Sequence, residues 1–345
     1  MADDTRPLAL TLGDPAGIGP DITLAAWEAQ ARERVPPFVL VGDAAVLALR
    51  AKTLGVAVPV RTVSDAGEAP ALFADALPVL EAAPAPSIVA GRPDPLAMPA
   101  VLNSIERAVA LVQSGEARAI VTNPIAKSVL YGVGFPFPGH TEYLASLAAR
   151  GGEVPHPVMM LAAGDFRVVP ATVHIPLKNV ASMLSTALVL DVIEIAAKDL
   201  RRLFGLARPR LAVSGLNPHA GEDGTLGREE IDIIAPAIAA ARARGIDVTG
   251  PHPADTLFHA AARQGYDAAI CMYHDQALVP FKTLAFEEGV NVTLGLPFVR
   301  TSPDHGTAFA IAGTRSANPR SLIEALRLAD AMTRASMARA AEKRA

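Results

Sequence analysis

The sequence predicts an α/β fold in which a mainly parallel, buried sheet is carried by two lobes. Three observations lead there. Apolar runs of strand length alternate with longer stretches of helical period, the order expected of strands joined by crossover helices. The strand runs are apolar without interruption, as strands covered on both faces are. The chain has 345 residues, which at about 150 per domain gives two domains or one large unit with two lobes. Taken in order, a strand is expected over 8–12, then a Gly-rich turn and a helix over 20–34, which Pro20 can open because the first helical N–H needs no partner. A second strand follows over 38–41. The stretch 81–95, rich in Pro and Ala, is a surface connection leading to a helix over 97–113, a strand over 119–121 and a helix over 141–150. Strands over 158–161 and 168–173, joined by Gly164-Asp165, form a hairpin, so the sheet is mixed. A helix over 188–203, a strand over 211–214, helices over 228–244 and 255–264, strands over 268–272 and 290–294 and a last helix over 320–339 complete the pattern, several helices having Gly just beyond the end.

Composition narrows the function classes. Hydrophobic residues are 51% and charged residues 19% of the chain, which excludes a chain disordered throughout. Aromatic residues are only 5%, so neither a stacking surface for bases nor an aromatic sugar cleft is expected. Net charge is −4 with the basic residues scattered, and no nucleic-acid partner is expected. The single cysteine, Cys271, excludes an internal disulfide and a thiolate-only metal site and fits a reducing, cytoplasmic compartment. Asp3 and Asp4 stand where a signal peptide would carry positive charge, and no run approaches the ~18 consecutive apolar residues of a membrane span, so a soluble, unprocessed protein without membrane contact is expected.

Ligands of an α/β sheet collect beyond the carboxyl ends of the strands, so residues just after an apolar run carry most weight. Three histidines stand there: His174 after the run 168–173, His219 after 211–214 through Gly215-Leu216-Asn217-Pro218, and His274 after 268–273. Three imidazoles projecting into one crevice would suit a metal site with open positions; their spacing is no local metal motif, and hydrogen-bonded loop histidines would look the same. His156, His252 and His259 are read as structural. Beyond His274 come Lys282, Asn291 and Arg300, a set that suits an anionic substrate, although an isolated Lys is more often a solvated surface charge. The turn Gly139-His140-Thr141-Glu142 opens a helix whose first N–H groups could hold an anion, or Thr141 could simply cap it. Gly13-Asp14-Pro15-Ala16-Gly17-Ile18-Gly19-Pro20 joins strand to helix but lacks the third glycine of the dinucleotide fingerprint. Cys271, inside a strand, reads as a small hydrophobe rather than a nucleophile.

Together these segments, with Asn217-Pro218-His219-Ala220-Gly221-Glu222, Tyr273-His274-Asp275-Gln276 and Val290-Asn291-Val292-Thr293-Leu294-Gly295-Leu296-Pro297, resemble the 4-hydroxythreonine-4-phosphate dehydrogenase family of pyridoxal phosphate biosynthesis, in order over almost the whole chain. The resemblance implies the isocitrate/isopropylmalate dehydrogenase-like fold, two α/β lobes with a cleft between them, here about 1–125 plus 285–345 for the lobe with the adenosine loop and 126–284 for the lobe with metal ligands and dimer contacts. It implies a homodimer whose active site is shared between subunits. NAD (or NADP) would bind without the usual fingerprint through His305-Gly306-Thr307-Ala308 and Asn318-Pro319. The family's ligands for one divalent metal, Zn, Co or Mg, fall on His174, His219 and His274. Its substrate-binding residues fall on His140, Thr141, Lys282, Asn291 and Arg300, and two acidic site positions on Asp255 and Asp275, as bases or orienting groups. Ala310 departs from the pattern, standing where an acidic residue is expected in many members.

The implied reaction oxidises the alcohol of 4-phosphooxy-L-threonine to a β-keto acid that loses carbon dioxide, leaving 3-amino-2-oxopropyl phosphate. Lys282-Thr283-Leu284-Ala285-Phe286 and the segment from Arg300 to Gly306 look closer to this enzyme than to paralogues that act on a threonate or erythronate 4-phosphate or on a cis-dihydrodiol. A metal-dependent hydrolase or lyase, and a non-catalytic phosphate-binding protein, are the alternatives from other classes.

Overall fold

The structure, a computed structural model, describes residues 4–132, 134–137, 139–149 and 151–342. Asp3 of the N-terminal reading and Arg150, the expected end of the helix over 141–150, lie outside the described residues. The strands in chain order are β1 (Leu8–Thr11), β2 (Phe38–Gly42), β3 (Val60–Val63), β4 (Leu77–Glu81), β5 (Ile120–Val121), β6 (Val158–Ala163), β7 (Phe166–Pro170), β8 (Arg210–Ser214), β9 (Asp247–His252), β10 (Ala268–Cys271), β11 (Val290–Leu294) and β12 (Arg300–Pro303). The chain divides into two compact units, Met1–Pro157 with Leu296–Arg334, and Val158–Gly295 with Ala335–Ala345.

In the first unit the strand order is β3-β4-β2-β1-β5-β12, and every described pair is parallel. β1 explains why: Leu8 pairs with Phe38 on one side and Ala9 with Ile120 on the other, and all four of its residues are buried. A strand enclosed in this way needs apolar side chains on both faces, which is the unbroken run seen in the sequence. The helix Met98–Ser114 packs on β1 and β2 through Met98, Val101, Ile105, Ala108 and Leu111, then stops at Gly115, whose φ of +83° suits a residue without Cβ. Ser104, alone among that apolar face, is satisfied by donating to the Val41 carbonyl at 2.6 Å and accepting the Leu12 N–H at 2.9 Å. The stretch Pro95–Ser114 is long and apolar enough to cross a membrane, but half of it is buried in the core and Glu106-Arg107 interrupts it.

In the second unit the order is β11-β6-β7-β10-β8-β9. β6 and β7 form the expected hairpin, with Ala163 opposite Phe166 and Gly164 at φ +54° in the turn, and β11 is antiparallel to β6. The other three pairs are parallel. The core gathers Leu161, Phe166, Val168, Ala269, Cys271 and Phe281, with Phe166 stacked on Phe281 at 5.4 Å. Cys271 has no exposure and burial pushes its thiol up, so it behaves as a small apolar side chain.

Four strands and several helices escape a reading by apolar run. β4 contains Pro78, which reads as a strand breaker; β12 is Arg-Thr-Ser-Pro, its polar groups buried and paired, with Thr301 Oγ1 donating to the Ala325 carbonyl at 2.8 Å. The helix His274–Ala285 has Pro280 inside it, which hid it. The expected helix 255–264 breaks into Ala254–Leu257 and Ala260–Arg263, where His259 Nδ1 accepts the Ala262 N–H. The helix expected over 228–244 begins as a π-turn, Glu230–Ile234, and continues as Ala235–Ala243.

Candidate functional site

β7 ends at Pro170, so His174 sits in a bend four residues beyond the strand rather than closing it, and His274 is the first residue of its helix, past the end of β10. The pairing of the two segments nevertheless continues past the strands: the Ala171 N–H donates to Cys271 O at 2.7 Å and the Thr172 N–H and hydroxyl to Met272 O at 3.2 and 2.8 Å. That extension delivers the two imidazoles side by side, ring centroids 5.7 Å apart. His274 Nδ1 donates to Asp275 Oδ1 at 2.7 Å, which fixes the ring and leaves Nε2 as the nitrogen to ligate. A carboxylate holding the far nitrogen is the arrangement that orients a metal-ligating imidazole, so the donor set fits a divalent ion with nitrogen preference.

His219 is exposed on an unusual turn. Residues 219–224 all have positive φ, among them the non-glycine His219, Ala220, Glu222 and Asp223. Left-handed backbone costs such residues about 1–2 kcal/mol each, so the turn needs outside support. Among the described residues no group of three or more His, Cys, Asp or Glu side chains is placed to hold a metal, so His219 does not join the His174–His274 pair within one chain. Asp255 is exposed on Ala254–Leu257; Lys282 is half-buried, its ammonium 5.3 Å from the Phe286 ring centre; Asn291 is half-buried on β11.

In the first unit the helix His140–Ala148 starts after extended Gly139, so Thr141 does not cap it. A Cβ at 139 would lie 2.6 Å from Glu142 Oε2 and 3.5 Å from Lys127 Nζ, so both side chains reach the start of this helix. His140 is 9% exposed, its Nε2 is buried without a hydrogen-bond partner, and burial, then the charges of Arg300 and Lys127, hold its pKa well below the ordinary value. Arg300, on β12, is 4% exposed and donates to Thr122 Oγ1 at 2.7 Å; burial lowers its pKa to about 10. A neutral imidazole, a buried guanidinium, Lys127 and a helix N-terminus thus share one positive region, which favours an anion of high charge density. The sequence reading missed Lys127; its signal was a position six residues beyond β5 in Thr122-Asn123-Pro124-Ile125-Ala126-Lys127.

One consequence is measurable. His140 stays neutral in the folded state at pH values where an unfolded chain takes up a proton, so its contribution to stability is level above about pH 6.5 and falls as pH drops below it, by at most about 1.4 kcal/mol per pH unit. Thermal unfolding between pH 7.5 and 5.5 should show a smaller loss of Tm for His140→Gln than for the parent chain; equal losses would remove His140 as the cause.

The turn Gly13-Asp14-Pro15-Ala16-Gly17 packs on the segment His305–Gly306–Thr307: the Ile18 N–H donates to Thr307 O at 3.0 Å, and a Cβ on Gly17 would lie 2.9 Å from that oxygen. Buried Arg50 binds the carbonyls of Pro15 and Gly17 and pairs with Asp21, whose other oxygen accepts the Gly313 N–H at 2.7 Å. Beside these turns lies a cavity of about 760 Å³ lined by Pro15, Asp43, Arg50, Ile88, Ala312 and Gly313. Pro20 is in the first helical turn as expected. Asn318 Oδ1 accepts the Arg320 N–H at 3.0 Å and so caps the last helix, Arg320–Glu342. Gly306 is exposed with open space where a Cβ would stand, and Ala310 is exposed. A largely apolar recess bordered by backbone turns fits one end of a dinucleotide.

A two-unit α/β fold with an anion-suited region and a recess beside Gly-rich turns suits an enzyme of a small anionic substrate, and comparison with known proteins gives its class, a dehydrogenase. Residues 33–329 match the family described as pyridoxal phosphate biosynthetic protein PdxA. A 4-hydroxythreonine-4-phosphate dehydrogenase of Bradyrhizobium diazoefficiens is 57% identical, covering 96% of this chain and 98% of that protein. A crystal structure of 4-hydroxythreonine-4-phosphate dehydrogenase from Klebsiella pneumoniae superposes with a TM-score of 0.84 at 38% identity, covering 95% and 99%. A terephthalate 1,2-cis-dihydrodiol dehydrogenase from Burkholderia xenovorans gives 0.64 at 30%, covering 94% and 98%. The chain is therefore an oxidoreductase with the isocitrate/isopropylmalate dehydrogenase-like fold. It belongs to the pyridoxal phosphate biosynthetic protein PdxA family.

Proposed function

We propose that this chain oxidises 4-phosphooxy-L-threonine with NAD, or NADP, in a reaction that depends on one divalent cation, and that the β-keto acid formed loses carbon dioxide to give 3-amino-2-oxopropyl phosphate, in the cytoplasmic synthesis of pyridoxal 5'-phosphate. The observation that carries the reading is the buried positive region of His140, Arg300 and Lys127 at the start of His140–Ala148, in a chain of this family. A phosphate monoester dianion is the charge that such a region suits, with the Arg300 fork and the first helical N–H groups, the Thr141 hydroxyl and neutral His140 as donors. Lys282 and Asn291 would take the substrate's other polar groups.

The bound cation, on His174, His219 and His274, would supply Lewis acidity, and the nicotinamide a hydride acceptor. This chain's own part is to place and exchange protons. Asp275 holds the His274 ring, and Asp255, exposed, is with Asp275 a candidate to orient a ligand or to take the alcohol proton. In the second step the bond to the carboxylate breaks, its electron pair stays on carbon, and that carbon takes a proton. The working unit in this reading is a homodimer, the metal ligands being drawn from both subunits, and the cofactor's adenosine end lies against His305, Gly306 and Asn318.

Absorbance of reduced NAD with 4-phosphooxy-L-threonine, before and after chelation and metal add-back, tests the substrate, the cofactor and the metal dependence. Metal-restored turnover is the expected result; full turnover after exhaustive chelation would overturn the metal dependence. The 30% identity to the cis-dihydrodiol dehydrogenase sustains a second reading, a paralogue acting on such a diol or on a threonate or erythronate 4-phosphate. An inert phosphooxy-threonine with turnover of one of these would establish it.

A further inference from the structure

We propose that Glu230 is the positioning residue that presets His219. The inference rests on the reading of His219 as a metal ligand but concerns a residue that reading does not include. Glu230 is 3% exposed and opens the π-turn Glu230–Ile234. Its Oε1 accepts the backbone N–H groups of Leu216 and Asn217, both at 2.7 Å, and its Oε2 accepts Asn217 Nδ2 at 2.9 Å. The same amide donates its other hydrogen to Glu229 Oε2 at 2.7 Å. Both carboxylates thus meet on one amide at the start of a π-turn, an irregularity that recurs at functional sites.

The carboxylate therefore grips the chain just before the left-handed run that carries His219. Its hold reaches across the run as well, because a Cβ on Gly221 would lie 2.5 Å from Glu230 Oε2 and one on Gly215 would lie 3.0 Å from Oε1 and 2.9 Å from the Ala220 Cα. The turn is wrapped on the carboxylate with no room for a side chain between them. A second buried side chain ties this turn to the other imidazoles: Gln276 Nε2 donates to the Gly215 carbonyl at 2.8 Å while its Oε1 accepts the Met272 N–H at 2.7 Å. Met272 O is the acceptor that draws in Thr172, two residues before His174. The N–H donors on Glu230 and the amide of Gln276 thus form one set of bonds behind all three histidines. An exposed histidine on strained backbone has no fixed direction of its own, and groups held only by outer partners typically lose 10- to 100-fold in metal affinity when those partners are removed.

Glu230→Gln keeps size and shape but turns an N–H₂ group toward donors that need an acceptor. The probe is Co²⁺ alone, titrated into the full-length chain and read by its visible absorption, with amide hydrogen exchange of Leu216 and Asn217 as the second readout. Expected are a 10- to 100-fold weaker Co²⁺ affinity in Glu230→Gln, faster exchange at 216 and 217, and neither change in Glu229→Gln, which leaves both backbone donors bound. Affinity and spectrum unchanged in Glu230→Gln, while His219→Ala loses the ion, would overturn the role of Glu230 and leave the metal reading standing. Co²⁺ bound equally by the parent and His219→Ala would overturn both. If Glu230→Gln does not fold, slow exchange at 216 and 217 in the parent chain upholds the grip, and unprotected amides there overturn it.

Discussion

His219→Ala is expected to reduce metal-dependent turnover by more than a hundredfold while leaving a folded protein whose thermal midpoint changes little. The size follows from position: removal of residues that merely orient a ligand costs about 10- to 100-fold, and loss of the ligand itself costs more. The absence of a stability effect also follows. His219 is exposed, its ring is in no hydrophobic core, and the left-handed turn beneath it is held through Leu216, Asn217 and Gly221 rather than through the imidazole. Changes at such surface positions stay within about 0.5 kcal/mol, with a small added cost because histidine tolerates positive φ better than alanine. Steady-state kinetics with metal titration and differential scanning calorimetry check both halves; wild-type turnover in this variant would remove His219 from the metal site.

Arg300→Met is expected to weaken use of the phosphorylated substrate by about a hundredfold or more, chiefly through KM, with thermal stability equal to or above that of the parent. Truncating one partner of a buried, hydrogen-bonded charge pair costs about 2–5 kcal/mol of binding, and each 1.4 kcal/mol is tenfold. The stability half has a separate cause. Burial lowers the Arg300 pKa to about 10, so keeping that cation in place before an anion arrives costs stability, which an apolar side chain of similar length avoids. Loss of function with stability kept is the mark of a residue placed for a ligand. Arg300→Lys keeps the charge without the fork and should recover part of the loss. A variant with unchanged KM, or one that is destabilised by several kcal/mol, would show that Arg300 serves the fold instead.

The strands carrying most of the core were legible because enclosed parallel strands must be apolar on both faces, and β1, β2, β8 and β10 have that composition. β12 was not, since Arg300, Thr301 and Ser302 are polar and earn their burial only through partners far along the chain, Thr122 and Ala325 among them. The helix His274–Ala285 was hidden by Pro280, a local signal that packing of Ala277 and Phe281 into the core overrides.

For the site, sequence order placed His174, His219 and His274 beyond strands, and motif resemblance placed His140 and Arg300 among substrate contacts. The sequence by itself determined the fold class, the family and which residue types stand at the loop positions, because periodicity and motif are local properties of the chain. Only the tertiary structure brought the His174 and His274 rings to 5.7 Å, set Lys127 and Arg300 against a buried His140, and placed Glu230 under the His219 turn. Those relations join residues separated by 11 (His219 to Glu230) to 160 (His140 to Arg300) positions. They are decided by strand register, by a π-turn and by left-handed backbone, none of which has a periodic signature, and their energies arise from burial and Coulomb interaction that exist only once the chain is folded.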